Sequence, residues 1–412
     1  MAFFIMLLIN TLHTFGIAAT RPIVSIYSEQ LGFTSAIIGI LVASYSFLPM
    51  MIAARTGRWV DRIGARKMVY IGGGGLLTGF LVPILFPTLP ALFFSQIILG
   101  FSQLFIVLSI QKTVGNMPGE RDRLIATHSL SGAIGEMLGP LVSGFTYAHF
   151  GFQWAFGVSA FVSLLAILLG LLLKKKDWQW GDPAAESEAG RVEPIWKLLR
   201  DVNLRNAILI SGVVLYSKEL VTAYFPLYGT SIGMTSSSIG LALSISSLMS
   251  LVVRFLQYPI IRWLGRSRVM TGTLVVAASA YMLISLTELP VWLGVLLAVM
   301  GASLGIGQPL SMVYALDLSP VRRHGEILGL RVSINRVLQF FAPMVFGGIG
   351  GAIGLAAIFL SNGAIMLLVS FFTRIDPSIG SASREGIAKA DAARVTEGRN
   401  RLPMKEAPPS KP

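Results

Sequence analysis

Residues 57–67 read GRWVDRIGARK, with five charged side chains and two glycines in eleven positions. On both sides this stretch is bounded by long apolar runs. Outward from it the same alternation continues along the chain, and twelve apolar runs of roughly 20 residues can be counted. They fall at about 3–27, 36–55, 68–88, 90–111, 126–148, 152–173, 204–228, 237–256, 269–288, 290–314, 327–347 and 351–373. A bilayer core asks that length of a spanning helix, because every backbone polar group must bond within its own segment. Composition agrees: 54% of the 412 residues are hydrophobic, 13% are charged, and the mean hydropathy is +0.71. A soluble domain is about one quarter charged. The expected fold class is an all-α membrane protein with twelve transmembrane helices.

The formal charge of +13 could point to nucleic acid, but its placement does not. Of the 33 Lys and Arg, 28 fall in alternate inter-helix segments and the carboxy-terminal tail. The intervening segments have none. That is the positive-inside pattern, and it predicts cytoplasmic termini in a multi-pass inner-membrane protein. A nucleic-acid partner would need the basic residues gathered on one soluble face. The first run opens without a basic residue before it, and Arg21 and Pro22 stand where a signal cleavage site would fall, so a retained span is expected. There is no cysteine, hence no disulfide framework or thiolate metal site.

The longest polar interruption, from Lys174, divides the chain into an amino-terminal six-helix bundle (1–173), a central loop (174–203), a carboxy-terminal six-helix bundle (204–373) and a disordered tail (374–412). A short amphipathic helix on the inner surface is expected at 194–205. The halves resemble each other. Gly32, Thr34, Ser35, Ile38 and Gly39 recur as Gly233, Thr235, Ser236, Ile239 and Gly240, and Gly64 as Gly265 at the same offset; Pro140 and Gly144 recur as Pro343 and Gly347. Such a parallel repeat predicts two pseudo-symmetric bundles with a site between them near the midplane.

Two motifs carry a family resemblance. GRWVDRIGARK, placed after the second of six helices, resembles the loop signature of the major facilitator superfamily: Gly57, Asp61, Arg62, Gly64 and Arg66 match, Trp59 stands for Leu, and Ala65 for an Arg. GEMLGPLVSG (135–144) in helix 5 resembles the element of that family's antiporter branch through Gly135, Gly139, Pro140 and Gly144, with Ser143 in place of a Gly. The resemblance covers about residues 1–373. It implies a secondary transporter, with no enzymatic activity and no cofactor or metal, working as a monomer in the lipid bilayer on a small-molecule substrate with protons as the coupling ion. It implies that Asp61 latches onto the start of helix 11, where free N–H groups and the helix dipole favour a carboxylate. The loop glycines are expected to form a tight turn. In helix 5, glycines four apart permit close helix approach, and Pro140 removes a backbone hydrogen bond. The branch's helix 4 Arg, linked there to proton movement, is replaced by Gln96 four residues before Gly100.

Charges inside the bilayer are costly and mark functional candidates. Glu136, half-way along helix 5, is the first candidate for proton coupling; the competing reading is a standing ion pair with Arg21 or Arg336. Glu219 is second, against a partly wet position near the outer side. His13 is third, against a structural hydrogen-bonded histidine. In the family, helices 1, 4, 7 and 10 line the cavity, which makes Asn10, Arg21, Gln96, Gln103, Lys218 and Gln308 cavity candidates; Arg336 joins them by its depth in helix 11. Five embedded basic residues (Arg21, Lys218, Arg254, Arg331 and Arg336) face two embedded acids. That balance disfavours a lipophilic cation and favours an anionic, zwitterionic or neutral cargo. The leading functional expectation is proton-driven export of a small organic molecule. The alternatives are a symporter or facilitator importing a small anionic or neutral metabolite and, from another class, a non-transporting membrane sensor. A membrane-embedded zinc hydrolase or an ATP-driven pump lacks its motif: there is no HExxH and no phosphate loop.

Overall fold

A computed structural model describes residues 1–118, 120–178, 202–317 and 324–373. The expected amphipathic helix at 194–205 lies largely outside these residues, and the expected disordered tail lies wholly outside them. Twelve long helices occur among the described residues: α1 (Ala2–Gln30), α2 (Ser35–Ile63), α3 (Ala65–Leu85), α4 (Leu89–Gly115), α5 (Arg121–Phe150), α6 (Phe152–Leu171), α7 (Val202–Ser231), α8 (Ser236–Leu264), α9 (Arg266–Ile284), α10 (Pro290–Asp317), α11 (His324–Ile353) and α12 (Leu355–Phe372). Eleven are long and apolar enough to span a bilayer by composition alone. The other, α5, is diluted by its polar start (RDRLIATHS) and by Glu136. Side chains such as Phe161, Phe255, Leu283 and Phe371 are exposed on the outside of the bundle, as a lipid-facing surface requires.

The ends of these helices are written in local chemistry. Thr34 and Thr235 cap α2 and α8, accepting from the backbone N–H groups of Ile37 and Ser238 at 3.5 and 3.2 Å. The turns before them pass through Gly32 and Gly233, with φ of 82° and 81°. Only glycine adopts such angles without strain.

The charged stretch that bounds the second span is not a loop. Helix α2 runs to Ile63, so Gly57 sits in helix and Gly64 alone, at φ 94°, turns the chain into α3. The expectation that both glycines serve a tight turn is corrected for Gly57. The reason is that α2, at 29 residues or about 43 Å, outruns a hydrocarbon core of about 30 Å and carries its charges on into water.

Helices α1–α6 pack into one bundle and α7–α12 into another, and the two meet along α2 with α11, α5 with α8, and α1 with α7. The contacts repeat across the pseudo-symmetry. Gly100 of α4 lies against the Tyr45 backbone of α2, and Gly301 of α10 against the Ser246 backbone of α8, both shifted by 201 residues. This is the twelve-helix, two-bundle architecture expected from the repeat.

A charge-lined cavity between the bundles

The face opposite the termini is sealed. Thr230 of α7 donates to Glu29 of α1, and Ser35 of α2 donates to the Gly347 carbonyl of α11 at 3.2 Å. The Tyr224 hydroxyl donates to the Pro343 carbonyl at 2.5 Å. At Gly144 an added methyl would sit 2.5 Å from the Ser236 carbonyl and 3.0 Å from Gly240 Cα, so only glycine lets α5 and α8 close. Gly135 and Gly139 do different work: both face α1, where a methyl would meet Thr11, Phe15 and Ala19 backbone atoms at 2.5–2.8 Å.

Behind this seal lies a cavity of about 540 Å³. Its lining begins at Arg21, Tyr45 and Pro140 and continues along α4, α8 and α11 toward Gln111, Arg254 and Arg331, that is, toward the face that bears the termini. Two ion pairs cross it from one bundle to the other. Lys218 Nζ lies 2.5 Å from Glu136 Oε2, and Arg21 pairs with Glu219. Adjacent residues of one α7 turn thus meet opposite charges on two different helices of the other bundle. The Arg21 guanidinium also lies over the Tyr45 ring, 4.6 Å from its centroid. Gln339 donates to Glu219 at 3.4 Å and accepts from Arg336 at 3.1 Å, extending the network along α11.

Among the described residues, the cavity is lined by five cationic side chains and two carboxylates. Both carboxylates are engaged in the ion pairs. Among the described residues, Arg254, Arg331 and Arg336 have no carboxylate partner: they contact Ser129, the Gln308 carbonyl with Ser311, and Gln339 respectively. The Glu136 partner is Lys218, not Arg21 or Arg336.

Of the residues singled out from sequence, Glu136, Glu219, Arg21, Gln103, Lys218, Gln308 and Arg336 line the cavity together. Asn10, His13 and Gln96 do not. Asn10 is buried against α5, donating to Ser131 at 2.8 Å and the His128 carbonyl at 3.2 Å. His13 is buried on the side of α1 that faces Gly73 of α3, and Gln96 is 1% exposed outside the cavity. Asp61 pairs with Lys112 at the end of α4, inside its own bundle; residues 318–323, before α11, lie outside the described part. Sequence reasoning passed over Asn335, Gln339 and Gln111. The signal for Asn335 and Gln339 was present in α11, where they fall on one helical face with Arg336.

A closed face, a midplane cavity crossed by inter-bundle ion pairs and a pseudo-repeat define a membrane carrier of the alternating-access type, moving a small molecule. The chain belongs to the Major Facilitator Superfamily, whose sequence profile matches residues 6–343 and 232–402. It is similar to Multidrug resistance protein 2 of Bacillus subtilis (strain 168), 24% identical over 89% of this chain and 92% of that one. It is also similar to Multidrug resistance protein MdtG of Klebsiella pneumoniae (strain 342), 20% identical over 86% and 88%. Among solved structures, the fold matches the nucleoside transporter NupG (TM-score 0.71, 15% identity, 90% of this chain and 97% of that one). It matches a peptide transporter POT in complex with sulfate as well (TM-score 0.77, 17% identity, 92% and 95%). At these identities the structures establish the fold alone.

Proposed function

We propose that the chain is a proton-linked symporter or facilitator for a small anionic or neutral metabolite, with both termini in the cytoplasm and Glu136 as the proton-accepting group. The observation that carries this reading is the Glu136–Lys218 pair within a cavity that already has an excess of positive charge. Protonating Glu136 cancels its charge and leaves Lys218 without a counter-ion. An anionic cargo then binds better, and by linkage the bound anion favours the proton. Among the described residues, the charged groups that act on Glu136 are Lys218 from α7, Arg254 from α8 and Arg21 from α1, all cationic, and the cavity's other carboxylate, Glu219, is held by Arg21. Loading proton and anion together adds no net charge to the cavity, which favours movement of the two as a unit across the low-dielectric centre.

The test uses proteoliposomes carrying the protein or Glu136→Gln, with an imposed pH gradient and a panel of organic anions and neutral solutes. Solute accumulation that follows the proton gradient in the parent, and only equilibrates in Glu136→Gln, is expected. Gradient-driven accumulation that persists in Glu136→Gln would remove Glu136 from the coupling. The second reading is proton-driven export of a small organic molecule. It is favoured by the helix 5 element and by the names of the relatives, and it predicts cargo and proton flowing in opposite directions in the same vesicles.

A further inference from the structure

Arg331 is 7% exposed, yet every acceptor its guanidinium meets among the described residues is neutral. Its Nη2 donates to the Gln308 carbonyl at 2.9 Å and to Ser311 at 3.3 Å, and its Nε has no partner. A buried charge without a counter-charge is costly, and a chain keeps one at the expense of stability. The side chain nonetheless lines the cavity, on the way from its mouth to the ion pairs. Among the described residues, Arg254, across the cavity on α8, and Arg336, about one and a half turns deeper on α11, also have no carboxylate partner, and Arg336 donates to the neutral Gln339 amide.

We propose that Arg331 is an anion anchor: an oxyanion of the cargo, carboxylate or phosphate, docks on the Arg331 guanidinium and supplies the missing counter-charge. The cargo class is therefore an organic anion. Guanidinium suits this role because its planar N–H groups match the geometry of an oxyanion and it never loses its charge. The neutral contacts from Gln308 and Ser311 fix its orientation without spending its charge. Arg254 and Arg336 add attraction along the path but are less enclosed. The proposal rests on the carrier reading above only in taking this cavity as the cargo path; it does not depend on Glu136.

The experiment uses the full chain in lipid nanodiscs at fixed ionic strength, with benzoate, phthalate and phenyl phosphate as anions, benzamide as the neutral match and benzylamine as the cation. Thermal stabilisation is read as a function of concentration. At least one anion should stabilise at concentrations about tenfold below those of benzamide and benzylamine. Arg331→Gln should raise the anion concentration needed by about tenfold or more, the loss expected for a charge-assisted contact. Arg331→Lys should recover part of it, and Arg336→Gln should cost less. Without ligand, Arg331→Gln should unfold at the same or a higher temperature than the parent, because it removes an uncompensated charge. No preference for any anion over benzamide, or equal losses in Arg331→Gln and Arg336→Gln, would overturn the assignment. So would a ligand-free Arg331→Gln protein that is destabilised while its anion response is unchanged. Anion binding through Arg331 without proton-linked flux in vesicles would instead sink the Glu136 reading and leave this one standing.

Discussion

Gly240 of α8 packs against the Pro140 carbonyl of α5, and its repeat mate Gly39 of α2 packs against the Pro343 carbonyl of α11. The two contacts are related by the duplication of the chain, and together they form the seal opposite the termini. A transport cycle must part both. The absence of a side chain at each glycine sets how closely the bundles approach there.

Gly240→Val should therefore hold that face open. Over-packing of this kind costs about 1–3 kcal/mol, enough to shift the open and closed populations by about five-fold to a hundred-fold. The chain has no cysteine, so a thiol introduced on the sealed face as Thr230→Cys is the one maleimide target, although it removes the Thr230–Glu29 contact. Its labelling by a membrane-impermeant maleimide should be faster in Gly240→Val/Thr230→Cys than in Thr230→Cys alone. An unchanged labelling rate would mean that the seal does not depend on this contact.

The two ion pairs should differ in energy. The side chains of Arg21 and Glu219 are each 15% exposed, whereas those of Lys218 and Glu136 are 38% and 40% exposed. Removing one partner of an enclosed pair costs about 3–5 kcal/mol, and a solvated pair contributes about 0–1 kcal/mol. Arg21→Gln should lower the thermal midpoint well beyond Lys218→Gln, and Arg21→Gln/Glu219→Gln should recover most of the loss. Equal midpoints for Arg21→Gln and Lys218→Gln would show that both pairs are equally wet.

Gly57 and Gly64 look alike in sequence and should behave oppositely. Gly64 stands at φ 94° and ψ 137°, where a side chain is strained by about 1–3 kcal/mol. Gly57 is helical with nothing within 4 Å of an added methyl, so Gly57→Ala should stabilise by about 0.5–1 kcal/mol. Thermal unfolding of the two alanine variants decides it. A destabilised Gly57→Ala would restore the loop interpretation of both glycines.

Asp61 pairs with Lys112 on an exposed surface, the side chains being 43% and 36% accessible. Such a pair is worth at most about 1 kcal/mol, so Asp61→Asn should leave the unfolding midpoint nearly unchanged. The latch to the start of α11, which we propose for the other half of the cycle, predicts that the same variant loses most of its transport. A parallel small loss in both measurements would count against the latch.

Much of the fold was legible because the bilayer imposes a single rule on every span. Length and hydropathy placed twelve helices, and the repeat of Gly32, Thr34 and Gly39 at Gly233, Thr235 and Gly240 carries the pseudo-symmetry in the sequence itself. Thr34 and Thr235 fixed where α2 and α8 start, since capping is a matter of three or four residues. The far ends were less legible. Charges from Arg55 onward mark where the hydrocarbon ends, not where α2 ends, so the eight helical residues 56–63 read as loop.

What only the tertiary structure decided is which polar face of each helix looks into the cavity. Lipid is as apolar as a helix–helix contact, so hydropathy does not separate the two. Asn10 and His13 share α1 with Arg21, yet Asn10 serves α5, His13 is buried on the α3 side, and Arg21 alone of the three reaches the cavity. The pairing of charges was equally beyond sequence. Lys218 and Glu219 are neighbours in the chain, but Glu136 is 82 residues from its partner Lys218. Which carboxylate met which cation depended on the rotation and height of α1, α5 and α7, quantities that packing between whole bundles sets and local sequence does not. The sequence by itself determined the spans, the duplication and the excess of buried positive charge. The packing of the two bundles decided that, among the described residues, this excess resides on Arg254, Arg331 and Arg336, because it places both carboxylates against the other two cations.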